Sequence, residues 1–454
     1  MEKKKLTWPF RAILFLLILC TLLYVVSLPL VYPYDDRAYE WTKGLYEERE
    51  GALDAVFIGT SNTYAFWSPL FAWGAYGIAT YSYAVSSQKI ESFRYMIEEA
   101  RKTQPDAQYV ISLGNPNLDV RVDHVHFLTD YMAPSLNKLR LILAYFRYND
   151  YSLTQKAELL APLLRYHSRW DELSETDFRR GPVFAKGANR QGGYLKVSSD
   201  VSDLVRRVDA RRDLSAQEEE ALLDLLDYLE AERVRALFVN PPQLGFTDEE
   251  LEKANTALDR IEERGFPVLH TRDLLDEIGL DFSKDFYNEQ HTNIHGAAKY
   301  TRFLAEYLRE NYTLSDKRGE PGYADFDEAF DAYMEFAEPY ALDFEIACAE
   351  RDPDLPAPAE LTAVQEGEAV CLGWKDCGAD GYLVYRQTRL PSQVNSAWTR
   401  LADLRGTNGE YIDPAPGAGQ THFYTVVPYR LTGETRRCGD FSYAGIGMEV
   451  MEHG

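Results

Sequence analysis

Asp54-Ala-Val-Phe-Ile-Gly-Thr-Ser-Asn62 decides how the chain is read. Ala55 to Ile58 is a short, wholly apolar run with β-branched members, as expected of a strand buried on both faces. Gly59 interrupts it and offers a tight turn. Ser61 then stands just beyond the carboxyl end of a strand, the edge at which open α/β sheets place ligands. A hydroxyl beside backbone N–H groups can serve there as a nucleophile with part of an oxyanion hole. The competing reading is that Thr60, Ser61 and Asn62 only cap the next helix.

The surroundings fit an α/β domain. Strand-like segments at Ala55–Gly59, Ala79–Val85, Gln108–Leu113, Arg235–Val239 and Pro267–Leu269 alternate with helical patterns. The helical patterns cover Glu91–Lys102, Ser215–Glu232, Asp248–Arg264 and Gly296–Asn311. Such alternation predicts a parallel sheet covered on both faces, in three layers. Residues 119–196 break the pattern and read as an insertion over the sheet edge, a lid or substrate wall.

Upstream, Lys3, Lys4, Lys5 and Arg11 precede an apolar run from Ala12 to Leu30, and Asp35, Asp36 and Glu40 follow it. The run is long enough to span a bilayer. The charge order predicts a cytoplasmic N-terminus and extracellular main domains. A cleaved signal peptide is the alternative, but no small-x-small site follows, which favours a single-pass anchor over residues 1–32. The α/β domain is then 33–320. Residues 321–356, acidic and aromatic and then proline-rich, read as a helical linker.

From 357 to 454 the apolar period becomes two. Val370, Leu372 and Trp374 share a face, Gly381–Arg386 and His422–Val427 form further strands, and Gly406–Gly409 marks a turn. Strands at this spacing predict a β-sandwich. With Trp374, the Ala379–Arg386 strand, Trp398-Thr-Arg-Leu401 and Tyr424-Thr-Val-Val427, the segment resembles a fibronectin type III module. Of the cysteines Cys20, Cys348, Cys371, Cys377 and Cys438, the pair Cys377 and Cys438 would be joined if they lie in neighbouring end loops. No C-x-x-C pair exists.

Composition narrows the partners. The chain has 454 residues, enough for two or three domains. Seventy-two acids against 48 bases give a net charge of −24, which argues against nucleic acid and against anionic headgroups as partners of the globular surface.

A second polar stretch lies far downstream, at Asp285-Phe-Tyr-Asn-Glu-Gln-His291-Thr-Asn-Ile-His295. His291 precedes a helix for which Thr292 and Asn293 are natural caps, and an imidazole there can take a hydroxyl proton near neutral pH. His291 and His295 are spaced for zinc, but no Glu follows His291 and no third ligand is evident, so no metal or cofactor is expected.

A strand ending in Gly-x-Ser, followed near the domain's end by Asn-x-x-His-x-Asn-x-x-Gly-Ala, resembles the SGNH (GDSL-like) hydrolase superfamily over about residues 50–315. Among its members the chain is most similar to membrane-anchored exported proteins of Gram-positive bacteria. These include relatives of the protein that transfers D-alanine onto teichoic acids. The resemblance implies Ser61 as nucleophile and His291 as base. Asn288 stands where the superfamily usually has an acid, with Asp285 and Glu289 as nearby substitutes. It implies an oxyanion hole from the N–H groups of Ser61 and Ala84 and the side chain of Asn117, with Asn115 as rival. The implied activity is an esterase or acyltransferase acting on acyl esters of cell-envelope glycans or teichoic-acid-like polymers, with a membrane acyl-donor protein as a further partner. The alternative is an SGNH scaffold without catalysis, serving envelope binding or assembly. Tyr166-His-Ser-Arg-Trp170 with Arg179 and Arg180 would suit a sugar groove, or only a surface helix end. Asp123-His-Val-His126 reads as an exposed loop, with a place near the site as the alternative.

Overall fold

The computed structural model describes residues 8–31, 41–178, 186–188, 200–283, 285–337, 350–388, 398–406, 409–433, 435–442 and 445–451. Cys348, Arg179, Arg180 and most of Gly181–Gly193 lie outside the described residues, as does the side chain of His295.

Five parallel strands, β1 (Ala55–Gly59), β2 (Thr80–Ala84), β3 (Gln108–Ser112), β4 (Ala236–Val239) and β5 (Val268–Leu269), form one sheet in the order β2-β1-β3-β4-β5. β1 is buried along its whole length and splits its side chains between two cores. Val56 and Ile58 join Phe93, Leu222 and Leu258 on one face. Ala55 and Phe57 join Trp67, Tyr300 and Leu304 on the other. Alternate side chains of a strand point to opposite faces, so a continuous apolar run needs helices on both sides. Gly59 is required for space rather than for its turn: a Cβ there would lie 2.1 Å from Thr63 Oγ1 and 3.1 Å from Ser112 Cβ.

The expected strands and long helices of the α/β domain form within a residue or two of their predicted ends. Two short helices, Ser61–Phe66 and Pro69–Tyr76, follow β1. The 119–196 insertion contains helices Val122–Thr129, Leu136–Tyr148, Leu153–Leu160 and Leu163–Tyr166. The expected exposed loop at 123–126 is thus a helix. The apolar N-terminal run is a helix over Trp8–Ser27, of which Phe10–Ser27 is long and apolar enough to cross a membrane.

The expected linker is corrected at both ends. Ala324–Ala337 is an amphipathic helix docked on the α/β domain: Phe326 is fully buried in its core and Trp73 Nε1 donates to Asp327 at 3.0 Å. Glu350–Arg351 pairs with Thr435–Cys438, and Leu355 is buried inside the sandwich, so 350–356 is part of that unit rather than a spacer.

The C-terminal unit is a β-sandwich. A three-stranded sheet (Ala359–Glu366, Ala369–Lys375, Glu410–Asp413) packs on a six-stranded one that contains Gly381–Gln387 and Gln420–Thr432. Val370, Leu372 and Trp374 meet Tyr382, Val384 and Val426 between them. The expected Cys377–Cys438 pairing is not made. Cys377 packs beside the inter-sheet core, whereas Cys438 joins Leu383 and Tyr385 on the other face of the same strand.

Candidate active site

Ser61 and His291, 230 residues apart, meet at the carboxyl edge of the sheet: Ser61 Oγ lies 2.8 Å from His291 Nε2. Thr60 stands at the N-cap of the Ser61–Phe66 helix but makes no side-chain capping bond, and the Ser61 hydroxyl turns to the imidazole. Local ties hold the two loops in place. Thr292 Oγ1 donates to the Ala65 carbonyl at 2.5 Å. Thr301 Oγ1 donates to the Phe66 carbonyl at 3.3 Å and accepts from Ser68 N at 2.9 Å. The serine helix and the start of the Ile294–Asn311 helix are therefore fastened to each other, and Asn293 caps the latter by accepting from Gly296 N at 3.3 Å.

Behind the imidazole, Asn288 Oδ1 lies 2.9 Å from His291 Nδ1. The same oxygen accepts the backbone N–H groups of Gln290 at 2.9 Å and of His291 at 3.0 Å. Two N–H donors fix which end of the amide is oxygen. An amide oxygen only accepts, so Nδ1 carries the proton and Nε2 presents its lone pair to the Ser61 hydroxyl. Burial lowers the pKa of His291 to about 4. Among the described residues it is the amide of Asn288, not a carboxylate, that backs the ring. The imidazole is thus held neutral, in the tautomer a general base for Ser61 requires. Both of its ring nitrogens are committed, and no group of metal-ligating side chains occurs among the described residues.

Neither substitute acid takes Asn288's place. Asp285 is buried, where it accepts from Lys299 Nζ at 2.6 Å and from Asp281 N at 2.7 Å. Glu289 is exposed, against Gly245.

Ser61 opens into a cleft of about 420 Å³ whose lining includes Asn62, Gln88, Ser112, Asn115, Gln243 and Gln290. Ala84 is not on its wall; it is the last residue of β2, fully buried in the core, and Ser87, Gln88 and Lys89 line that side instead. Asn117 is also displaced. Its Nδ2 donates to Glu250 Oε1 at 3.2 Å, beside Asn115 Nδ2 at 3.0 Å on the same oxygen, and of the two only Asn115 lines the cleft. Glu250 meanwhile caps its own helix, accepting from Thr247 N at 2.9 Å.

Sequence reading missed Asn62, Ser112 and Gln243. Asn62 is 2% exposed, and neither polar atom of its amide has a partner among the described residues. Ser112 Oγ and Gln243 Oε1 are in the same condition. Unpaired buried polar atoms cost about 1–3 kcal/mol each, so their gathering at one cleft suits a polar ligand. Position beside Ser61 was the only sequence signal for Asn62, and it fitted a helix cap equally well. Lys89 and Arg121 add positive charge at the rim beside His124, whose pKa is lowered by burial and then by Arg121.

The proposed sugar groove at Tyr166–Trp170 does not form at the cleft. Tyr166 is buried, donating to Asp130 Oδ2 at 2.6 Å, and Arg169 Nη1 donates to the Leu30 carbonyl at 2.8 Å. These residues pack against the end of the apolar N-terminal helix.

No family model matches the chain, and no curated protein matches it. Among solved structures, part of the chain is similar to the FN5 domain of Drosophila Lar, at 18% identity over 22% of this chain and 98% of that one, with a TM-score of 0.18. A similar likeness holds to an FN3 domain of human collagen XX, at 16% identity over 21% of this chain and 94% of that one, with a TM-score of 0.17. The third fibronectin III domain of human KIAA0343 protein matches at 16% identity over 23% of this chain and 89% of that one, again with a TM-score of 0.17.

Proposed function

We propose that the chain is a membrane-tethered, extracellular SGNH-type serine esterase or acyltransferase acting on acyl esters of cell-envelope glycans or teichoic-acid-like polymers. The observation that carries the reading is the Asn288–His291–Ser61 relay, with spacings of 2.9 and 2.8 Å, at the rim of a polar cleft. Ser61 Oγ attacks the ester carbonyl while His291 Nε2 takes its proton. The tetrahedral intermediate collapses, the alkoxide leaves with that proton, and the acyl group stays on Ser61 until water or a second hydroxyl accepts it. The oxyanion is held by the Ser61 N–H and by the unpartnered Asn62 amide, in place of Ala84 and Asn117. Unsatisfied amide and hydroxyl groups in the cleft favour a hydroxyl-rich substrate over an apolar one.

The tether reading has support in packing. Leu30 and Val31 are buried against Tyr131 and Tyr166, and a cleaved signal would strip the domain of that contact. The charge order of the sequence supports a reading with the domains outside the cell.

A fluorophosphonate probe tests the activity. The intact protein is expected to become covalently labelled at Ser61, and Ser61→Ala to take up none. A wild type that stays unlabelled between pH 5 and 9 would favour the second reading, a binding scaffold. The amide of Asn288 in place of an acid and the engagement of both Asn115 and Asn117 by Glu250 are the observations behind that reading.

A further inference from the structure

The helix Val122–Thr129 joins two different places. At its start, Arg121 and His124 line the cleft. At its far end, Asp130 receives the Tyr166 hydroxyl at 2.6 Å, and Tyr131 and Tyr166 close over Leu30 and Val31. Arg169 ties the Leu30 carbonyl to the same surface at 2.8 Å. The helix has eight residues. At 1.5 Å per residue that is about 12 Å, so the cleft rim stands close to the point where the apolar helix ends.

Beside these contact residues in the chain, the insertion turns large apolar side chains outward. Leu160 and Leu164 are 53% exposed, Phe178 65% and Trp170 72%. On a chain with a net charge of −24 such exposed apolar side chains call for a covering. The carbonyl tie at Leu30 fixes what that covering is. A surface fastened to the exit of a membrane-spanning helix has the bilayer beside it, and Trp with Leu and Phe is the set that settles at the headgroup boundary.

We propose that Leu160, Leu164, Trp170 and Phe178 form a membrane seat that rests in the leaflet where the Trp8–Ser27 helix emerges and holds the Ser61 cleft at the bilayer surface. The acyl ester this site takes is therefore carried by a lipid-linked or membrane-proximal polyol or glycan, not by polymer far from the membrane. The inference rests on the reading of Trp8–Ser27 as a retained anchor.

The full chain in nanodiscs tests it, comparing phosphatidylcholine with phosphatidylcholine brominated near the headgroup. Bromine is expected to quench a share of the tryptophan emission that Trp170→Phe removes, and Leu164→Trp on that background is expected to restore it. Quenching unchanged by Trp170→Phe and not regained with Leu164→Trp overturns the seat. The anchor reads out separately through Trp8: quenching lost in Trp8→Phe with Trp170 silent leaves the anchor standing without the seat. A mature protein whose mass lacks the N-terminal helix removes both.

Discussion

Among the described residues two buried histidines lean on a side-chain oxygen, and they differ in what the other ring nitrogen meets. His126 has the stronger-looking partner: its Nδ1 lies 3.1 Å from both carboxylate oxygens of Asp130. Yet both side chains are buried, at 2% and 3% exposure, and His126 Nε2 has no partner among the described residues. His291 has only an amide behind it, but its Nε2 meets a serine hydroxyl at the mouth of a cleft. An acid beside a histidine does not make a catalytic base. What a general base needs is a lone pair aimed at a hydroxyl, and an amide oxygen is enough to leave that lone pair on the correct nitrogen.

The largest expected effect separates the two directly. His291→Ala should lower the rate of probe labelling at Ser61 by about 10²–10⁴-fold, the usual worth of a positioned general base. His126→Ala should leave the rate per folded molecule unchanged. Equal losses in both variants, measured on protein of matched thermal stability, would dissolve the contrast.

The reverse asymmetry is expected in stability. Asp130→Ala strands the Tyr166 hydroxyl and His126 Nδ1, both inside the packed region that meets Leu30 and Val31. At about 1–3 kcal/mol for each buried group left unpaired, the domain should melt several degrees lower, while labelling of the folded fraction persists. Calorimetry beside labelling reads both halves.

A third test concerns pH. With a pKa lowered to about 4 by burial, His291 keeps its basic form well below neutrality, so the acid limb of ester turnover should fall near that value. In Asn288→Asp a carboxylate behind the ring favours imidazolium, and the limb should move up by about one unit or more. Stability follows the same sign. The unfolded chain gains a proton on His291 below its ordinary value of 6.5, while the folded chain holds none until about 4. Stability from this residue is therefore complete above 6.5 and drains as pH falls through that window. A limb that does not move in Asn288→Asp would mean that residue 288 does not govern the ring.

How much of this was readable beforehand depends on the range of the signal. The β1 strand, Ser61 and His291 were legible because apolar runs, a breaking glycine and polar loops before helices are local patterns. The insertion's role was not, because the packing of Tyr166 and Arg169 onto Leu30 joins segments about 140 residues apart with no periodicity in common. The linker over 321–356 was misread for a related reason. Ala324–Ala337 looks like a solvated acidic helix until Phe326 and Tyr333 are seen to face the domain. Ala84 failed by register: a motif matched along a strand lands in the core when the cleft begins a few residues later, at Ser87.

The smallest effect concerns Asn117, and it follows from where its amide is held. An oxyanion donor has to keep an N–H free for the developing charge. The Asn117 amide instead points at Glu250 Oε1, which already accepts Asn115, while Oε2 of the same carboxylate takes the N–H and hydroxyl of Thr247. Its second N–H is spared, but Asn117 does not line the cleft, so turning it to the oxyanion would mean pulling the amide off a charged acceptor, a bond worth about 1.5–3 kcal/mol. Asn117→Ala should therefore change ester turnover by less than about threefold, under 0.7 kcal/mol. Asn62→Ala removes an amide beside Ser61 that has no competing partner among the described residues, and should cost about tenfold or more. The opposite ranking, with Asn117 the costlier loss, would show that Glu250 releases its amides when substrate arrives and would return the oxyanion hole to the residue the motif first suggested.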